Sequence, residues 1–192
     1  ESPALEVLVR EGAFGEAHSV VELGCGTGRL AERLLARELP DDARYVGVDV
    51  SARMVERTQR RLARFGSRAS VRVTDGSLRL SLPNRAFERF VAAYVLDLLS
   101  DDDIGLAVEE AYRVLVPGGW LCLASLGEGV SASSRVLCRA WRALHRANPL
   151  LVGGCRPIEL RAVLAPSRWE ILDAATVVTR FVPTEVLVAR RA

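Results

Sequence analysis

Val20-Val21-Glu22-Leu23-Gly24-Cys25-Gly26-Thr27-Gly28 runs from a β-branched segment straight into three alternating glycines. Ser19 to Leu23 reads as a strand, the glycines as a tight turn, and Leu30 to Leu39 as a helix with apolar residues at 30, 31, 34 and 35. A strand, a glycine turn and a helix in that order set backbone N–H groups and a positive helix end beside a bound ligand. The spacing is not that of the dinucleotide fingerprint G-x-G-x-x-G, because Arg stands at 29 and the third glycine comes one residue early. Glu22 would also face a pyrophosphate with a like charge. A ligand with an ammonium group and no phosphate fits better, which disfavours a nicotinamide-dependent oxidoreductase.

Outward from this unit, strands and helices alternate. Tyr45 to Val50 reads as a second strand, Ser51 as an N-cap, and Arg53 to Phe65 as a helix with Met54, Val55, Thr58 and Leu62 on one side, ended by Gly66. Ser70 to Thr74 and Phe87 to Val95 are further strands, the latter after the turn Leu82-Pro83-Asn84. Asp101-Asp102-Asp103 favours a helix start, Ile104 to Leu115 carries helical periodicity, and Pro117-Gly118-Gly119 stops it before a strand at Trp120 to Ser125. Between 127 and 166 lie a helix from about Ser134 to Arg146, a loop with Pro149, Gly153 and Gly154, and a second helix from Pro157 to Leu164, together a cap over a pocket. Trp169 to Thr179 and Glu185 to Ala189 form a C-terminal antiparallel hairpin through Phe181-Val182-Pro183-Thr184. The expectation is one α/β domain over 1–192, with 127–166 as a substrate-side insertion.

Composition narrows the class. The chain has 192 residues, 49% hydrophobic and 26% charged, a globular balance. Its longest apolar run, Phe90 to Leu96, is far short of the roughly 20 residues a membrane span needs. No leader pattern is visible, and a start at Glu1 without Met is expected to reflect trimming. Cys25, Cys122, Cys138 and Cys155 form no C-x-x-C pair, with only His18 and His145 beside them, so neither a metal site nor a disulfide framework is expected and the cytoplasm is the expected compartment. The 26 basic residues are all Arg, spread along the chain for a net charge of +2, which argues against dedicated nucleic-acid binding.

Asp49 ends the second strand where a carboxylate accepts hydrogen bonds from both hydroxyls of an adenosine ribose. With that residue in place, the segment from Val20 to Gly28 resembles the first motif of Rossmann-like S-adenosylmethionine-dependent methyltransferases. Val46-Gly47-Val48-Asp49-Val50-Ser51 resembles their ribose-binding strand. Thr74-Asp75-Gly76 is similar to the segment whose aspartate meets the adenine amino group, and Arg113-Val114-Leu115-Val116-Pro117-Gly118-Gly119-Trp120-Leu121 to the turn entering the fifth strand. The resemblance covers about residues 18 to 125 and is nearest in look to the ubiquinone and menaquinone methyltransferase branch. It implies a seven-stranded, mostly parallel sheet in the order 3-2-1-4-5-7-6 with helices on both faces. The cofactor implied is S-adenosyl-L-methionine, held by Glu22, Gly24, Cys25, Gly26, Gly28, Asp49, Val50, Met54, Asp75, Gly76 and Tyr94.

Each assignment has a plainer alternative. The glycines would also suit an ordinary strand-to-helix turn, Asp49 a helix cap, Asp75 a turn, Met54 a gap-filling core residue, and Cys25 a small packed residue without chemistry. Tyr94 and Asp97 follow the fourth strand, at the sheet end where ligands bind in open α/β folds. Asp97 and Arg156 are the acceptor-side candidates. Arg156 precedes Pro157, so its cation would sit beside a positive helix end and call for an anion, supplied by a ligand or by Glu159. Arg135, Arg139, Arg142 and Arg146 recur at helical spacing, a solvated face or a surface for peripheral membrane contact. The activity expected is in-line methyl transfer to a small-molecule or lipid-like acceptor, with no residue assigned as base. The alternative is a non-catalytic sensor or subunit that binds S-adenosylmethionine or S-adenosylhomocysteine. Relatives carry extra N-terminal helices over the pocket, whereas about 18 residues precede the first strand here.

Overall fold

A sheet covered on both faces needs strands whose alternate residues are all apolar. In the first strand, β1 (Ser19–Leu23), Val20 packs into one core and Val21 into the other. The computed structural model describes residues 2–129, 132–148, 153–179 and 182–192. Its strands form one seven-stranded sheet in the order β3-β2-β1-β4-β5-β7-β6. β2 (Arg44–Asp49), β3 (Ala69–Val73), β4 (Phe87–Ala93) and β5 (Leu115–Leu126) run parallel with β1. β7 (Val182–Arg191) lies antiparallel between β5 and β6 (Trp169–Thr179). The order reverses direction between β1 and β4, which opens a crevice at the carboxyl ends of those strands.

Helices α1 (Pro3–Glu11), α2 (Arg29–Arg33) and α3 (Ala52–Leu62) close one face around Leu8, Phe14, Leu34, Tyr45, Val55 and Leu62. Helix α4 (Asp101–Val114) closes the other around Phe90, Ile104, Ala111, Leu121 and Leu160. Among the described residues no helix is long and apolar enough to cross a membrane.

Several local expectations need correction. α1 was not foreseen, although Pro3 at its start and the apolar residues at 4, 5, 8 and 9 carry the signal. The helix expected through Leu39 is α-helical only to Arg33, then widens into a π-helical turn over Leu34–Glu38, with Arg33 donating to Glu38 at 3.0 Å. α4 starts at Asp101 with all three aspartates in its first turn, as expected, and Ser100, which was not singled out, caps it: its hydroxyl accepts the Asp103 N–H at 3.1 Å. Pro117-Gly118-Gly119 lies inside β5, at the register shift between the Phe87 and Arg89 pairings, because α4 has already ended at Val114. The first cap-region helix, α5, spans Ala132–Ala147.

The second cap-region helix, expected from Pro157 to Leu164, is absent; only Leu160–Val163 makes a 3-10 turn. Its backbone N–H groups are used elsewhere: Arg156 donates to the Asp97 carbonyl at 2.9 Å, Ile158 to that of Leu126 at 2.9 Å, and Leu160 to the Glu185 carboxylate at 2.8 Å. Those bonds tie the segment to the sheet, and Leu160 gives Glu185 the N–H that a helix from Pro157 would direct back to the Arg156 carbonyl. The terminal hairpin is tighter than expected, since Val182 to Thr184 belong to β7 and Thr179 pairs with Val182; Phe181 lies outside the described residues.

Arg89 joins the N-terminal segment to the sheet. It is 5% exposed, donates to the carbonyls of Gly12 at 2.7 Å and Ala13 at 2.8 Å, and stacks 4.5 Å from the Trp120 ring. Arg89→Met leaves those carbonyls without their donor and should lower unfolding stability by about 1–3 kcal/mol in urea titrations. An unchanged midpoint would remove this anchoring role.

Candidate functional site

The glycine turn sits where β1 ends, and much of its backbone is held by neighbouring elements. Gly24, Gly26 and Gly28 all take left-handed φ, at 69°, 53° and 72°. At Gly24 a Cβ would lie 2.1 Å from Val95 Cγ2, so the segment just after β4 approaches too closely for a side chain there. The Gly24 and Cys25 N–H groups donate to the Val48 carbonyl at 2.8 and 3.1 Å. Asp49 Oδ2 accepts the Gly26 N–H at 2.9 Å, while Oδ1 accepts the Ser51 N–H at 2.8 Å. The carboxylate thus serves the loop and the entry to α3 together, and each oxygen keeps a further lone pair.

Glu22 is 3% exposed beneath the turn and accepts the Tyr45 hydroxyl at 2.6 Å. Burial pushes its carboxyl up to about 7; the Tyr45 hydrogen bond lowers it, and the Asp49 charge adds to the rise. Burial likewise drives the Cys25 thiol up to about 12, with Glu22 and Asp49 adding, which favours the neutral thiol. Tyr45 escaped sequence reasoning. Its position at the start of β2 suggested only a core residue, and the partner that orients Glu22 became visible only through the register of β1 against β2.

Around this centre, Met54 is half-buried in the first turn of α3, where its N–H meets the Ser51 hydroxyl at 3.4 Å. Val50 is 67% exposed and Val73 is 50% exposed, apolar side chains presented at the ends of neighbouring strands. Asp75 is exposed, and its Oδ1 accepts the Ser77 N–H at 2.9 Å, a turn closed beside Gly76 with φ 91°. Tyr94 takes φ 58°, which a bulky residue seldom adopts; its N–H donates to the Ala124 carbonyl at 2.7 Å and its hydroxyl lies 3.0 Å from Ser2 Oγ.

Asp97 and Arg156 form a second group, joined through the Asp97 carbonyl. Asp97 is 4% exposed; Oδ2 accepts the Leu126 N–H at 3.4 Å, Oδ1 has no hydrogen-bond partner, and burial raises the carboxyl. The electrostatic premise for Arg156 is corrected, because Pro157 opens no helix. Its guanidinium donates to the Leu99 carbonyl at 3.0 Å and to Asp101 at 2.6 Å, so Asp101 rather than Glu159 balances it. On α5, Arg135 and Arg139 are exposed and Arg142 pairs with Glu128; the side chain of Arg146 lies outside the described residues.

The family described as "Methyltransferase domain" matches residues 20–119, more than half of the chain and the part holding the glycine turn, Asp49 and Asp75. The chain is 30% identical over 132 residues to the tRNA N(3)-methylcytidine methyltransferase Mettl2 of Drosophila melanogaster, covering 66% of this chain and 40% of that protein. It is 29% identical over 118 residues to the demethylmenaquinone methyltransferase of Symbiobacterium thermophilum, covering 60% and 46% respectively. Among solved structures, N-methyltransferase NodS from Bradyrhizobium japonicum WM9, in complex with S-adenosyl-L-homocysteine, has the same fold at a TM-score of 0.73 and 20% identity, over 100% of this chain and 89% of NodS. The chain spans less than half the length of these two curated relatives. The fold, the strand order and the matched segment agree, and the chain belongs to the methyltransferase-domain family.

Proposed function

We propose that this chain transfers a methyl group from S-adenosyl-L-methionine to a small-molecule or lipid-like acceptor. The observation that carries the reading is the left-handed glycine turn held between two carboxylates, Glu22 beneath it and Asp49 beside it. A Cβ on Gly26 would meet no protein atom nearer than the Gly24 carbonyl at 3.9 Å, so the turn offers bare backbone to a ligand. This donor set suits a cation with a free ribose and suits a pyrophosphate poorly.

The cofactor supplies an already activated methyl group on a sulfonium. The chain's task is then to bind, orient and exclude water. Glu22, oriented by Tyr45, balances an ammonium group. Asp49 offers its remaining lone pairs to two ribose hydroxyls. Met54 and Val50 give an apolar surface for the adenine ring, Asp75 and Gly76 border its amino edge, and Tyr94 walls the β4 side. Asp97, with one unpartnered buried oxygen, faces the acceptor's polar group, Arg156 holds the adjoining segment in place, and the described residues between 127 and 166 cover the acceptor. Much of the basic charge is already spent in ion pairs within the chain, as at Arg33, Arg60, Arg61, Arg64, Arg113, Arg156, Arg168 and Arg190, which favours a small acceptor over a nucleic acid.

The direct test incubates the protein with methyl-labelled cofactor and, in separate arms, a small-molecule extract, a lipid extract and tRNA. Label in the first or second arm with release of S-adenosylhomocysteine supports the proposal; label in tRNA alone overturns the acceptor class, and label nowhere overturns the activity. Asp49→Asn is expected to weaken S-adenosylhomocysteine binding at least about fivefold by calorimetry, a loss of about 1 kcal/mol or more. Both carboxylate oxygens hold backbone N–H groups, so either amide orientation sets a donor against a donor. Parent-like binding would end the ribose assignment.

Glu22 supplies a pH test. Its folded carboxyl lies at about 7 against an ordinary 4.5, so its protonated form favours folding below about 4.5 and that contribution fades as pH rises through 7. Ligand binding runs the other way, since an ammonium needs the ionised carboxylate. Affinity for S-adenosylhomocysteine should therefore rise between pH 6 and 8 in the parent and stay flatter in Glu22→Gln. Equal pH profiles would detach Glu22 from the ligand.

A further inference from the structure

Thr58 is a polar side chain with 0% exposure on the packed side of α3, between Val55 and Leu62. A buried hydroxyl must find a partner, and in a helix the usual one is the carbonyl a turn earlier. Here the hydroxyl leaves its own helix and donates to the Gly26 carbonyl at 2.7 Å. One turn further along, Arg61 Nε donates to the Thr27 carbonyl at 2.9 Å, and its Nη1 to Glu32 in the first turn of α2 at 2.7 Å. Arg64 adds a second contact to Glu32 at 3.2 Å.

Two consecutive carbonyls of the glycine turn are thus drawn toward α3, while the Gly26 N–H goes to Asp49. The third glycine belongs to the same arrangement. A Cβ on Gly28 would stand 2.6 Å from Thr58 Cγ2 and 3.0 Å from its Oγ1, so the turn can seat against α3 only without a side chain there. A glycine peptide released from such bonds rotates easily, because glycine populates left- and right-handed φ alike.

We infer that Thr58 and Arg61 are positioning residues for the cofactor site: from α3 they hold the Gly26 and Thr27 carbonyls and so fix the face of the turn that a ligand meets. The inference rests on the reading of that turn as the cofactor site. Thr58 acts through the backbone, since it has no surface with which to touch a ligand.

Two substitutions separate hydroxyl from packing, because Thr58→Val keeps the shape and Thr58→Ser keeps the hydroxyl. Calorimetry with S-adenosylhomocysteine and amide hydrogen exchange of residues 24–28 in the ligand-free protein are the two readouts. Thr58→Val should weaken binding about tenfold and speed exchange in the turn by a similar factor, while Thr58→Ser stays within about twofold of the parent in both. Val186→Ala, a core change in β7 that also lowers stability, should leave affinity unchanged. Should Thr58→Val fail to fold, Arg61→Met on the partly exposed side of α3 carries the same expectation at smaller size. Parent-like behaviour of Thr58→Val, or equal losses in Thr58→Val and Thr58→Ser, overturns the inference. If the parent binds no S-adenosylhomocysteine, the cofactor reading fails by itself, and the exchange rates still decide whether α3 holds the turn.

Discussion

The hydrogen bond from the Gly26 N–H to Asp49 is the contact on which the ligand end of the molecule depends. It crosses from the turn after β1 to the last residue of β2, beside the bonds that hold the Gly24 and Cys25 N–H groups on the Val48 carbonyl. Parallel pairing of β1 with β2 sets Glu22 beside Gly47 and Leu23 beside Val48, so strand register decides which side chains meet the turn. A slip of one residue would send Asp49 to the opposite face and leave the turn without its acceptor. The same register delivers Tyr45 to Glu22. One alignment therefore places both carboxylates.

What was legible in the sequence follows from range. The alternation of Val20 and Val21, the three glycines and Asp49 at a strand end are local signals, and the fold, strand order and terminal hairpin came from them and from family resemblance. The misreadings share a different cause. Pro157 is a sound helix start by local rules, yet the N–H groups around it bond to Asp97, Leu126 and Glu185, all distant in sequence. Tyr45 and Thr58 look like ordinary core positions until the elements they reach are in place. Arg156 drew attention through a helix dipole that does not exist, whereas Asp101, which engages it, lies 55 residues away. Tyr45, Thr58 and Arg156 were misjudged because their partners lie on other elements.

The glycine spacing also acquires a physical reason. In the dinucleotide fingerprint the third glycine serves close packing of the helix on the sheet. In this chain it comes one residue earlier, and its missing side chain makes room for Thr58 on the neighbouring helix. The departure from G-x-G-x-x-G marks a different neighbour for the turn, the helix α3, which donates hydrogen bonds to its carbonyls.

Glu22 and Asp49 bring two carboxylates to one turn, and their charges oppose each other: burial does most to raise the Glu22 carboxyl, and the Asp49 charge adds to it. A protein without a use for this arrangement would do better with an apolar residue at 22, as the other inward positions of β1 have. The strain in the backbone points the same way, since Tyr94 holds a left-handed conformation at the end of β4, across the crevice from the turn. A buried carboxyl beside a half-buried one and a left-handed aromatic residue, all at one end of the sheet, are features that folding alone disfavours. On the proposed reading, a cation bound beside the two carboxylates would relieve their repulsion, and Tyr94 would wall the crevice that the ligand fills.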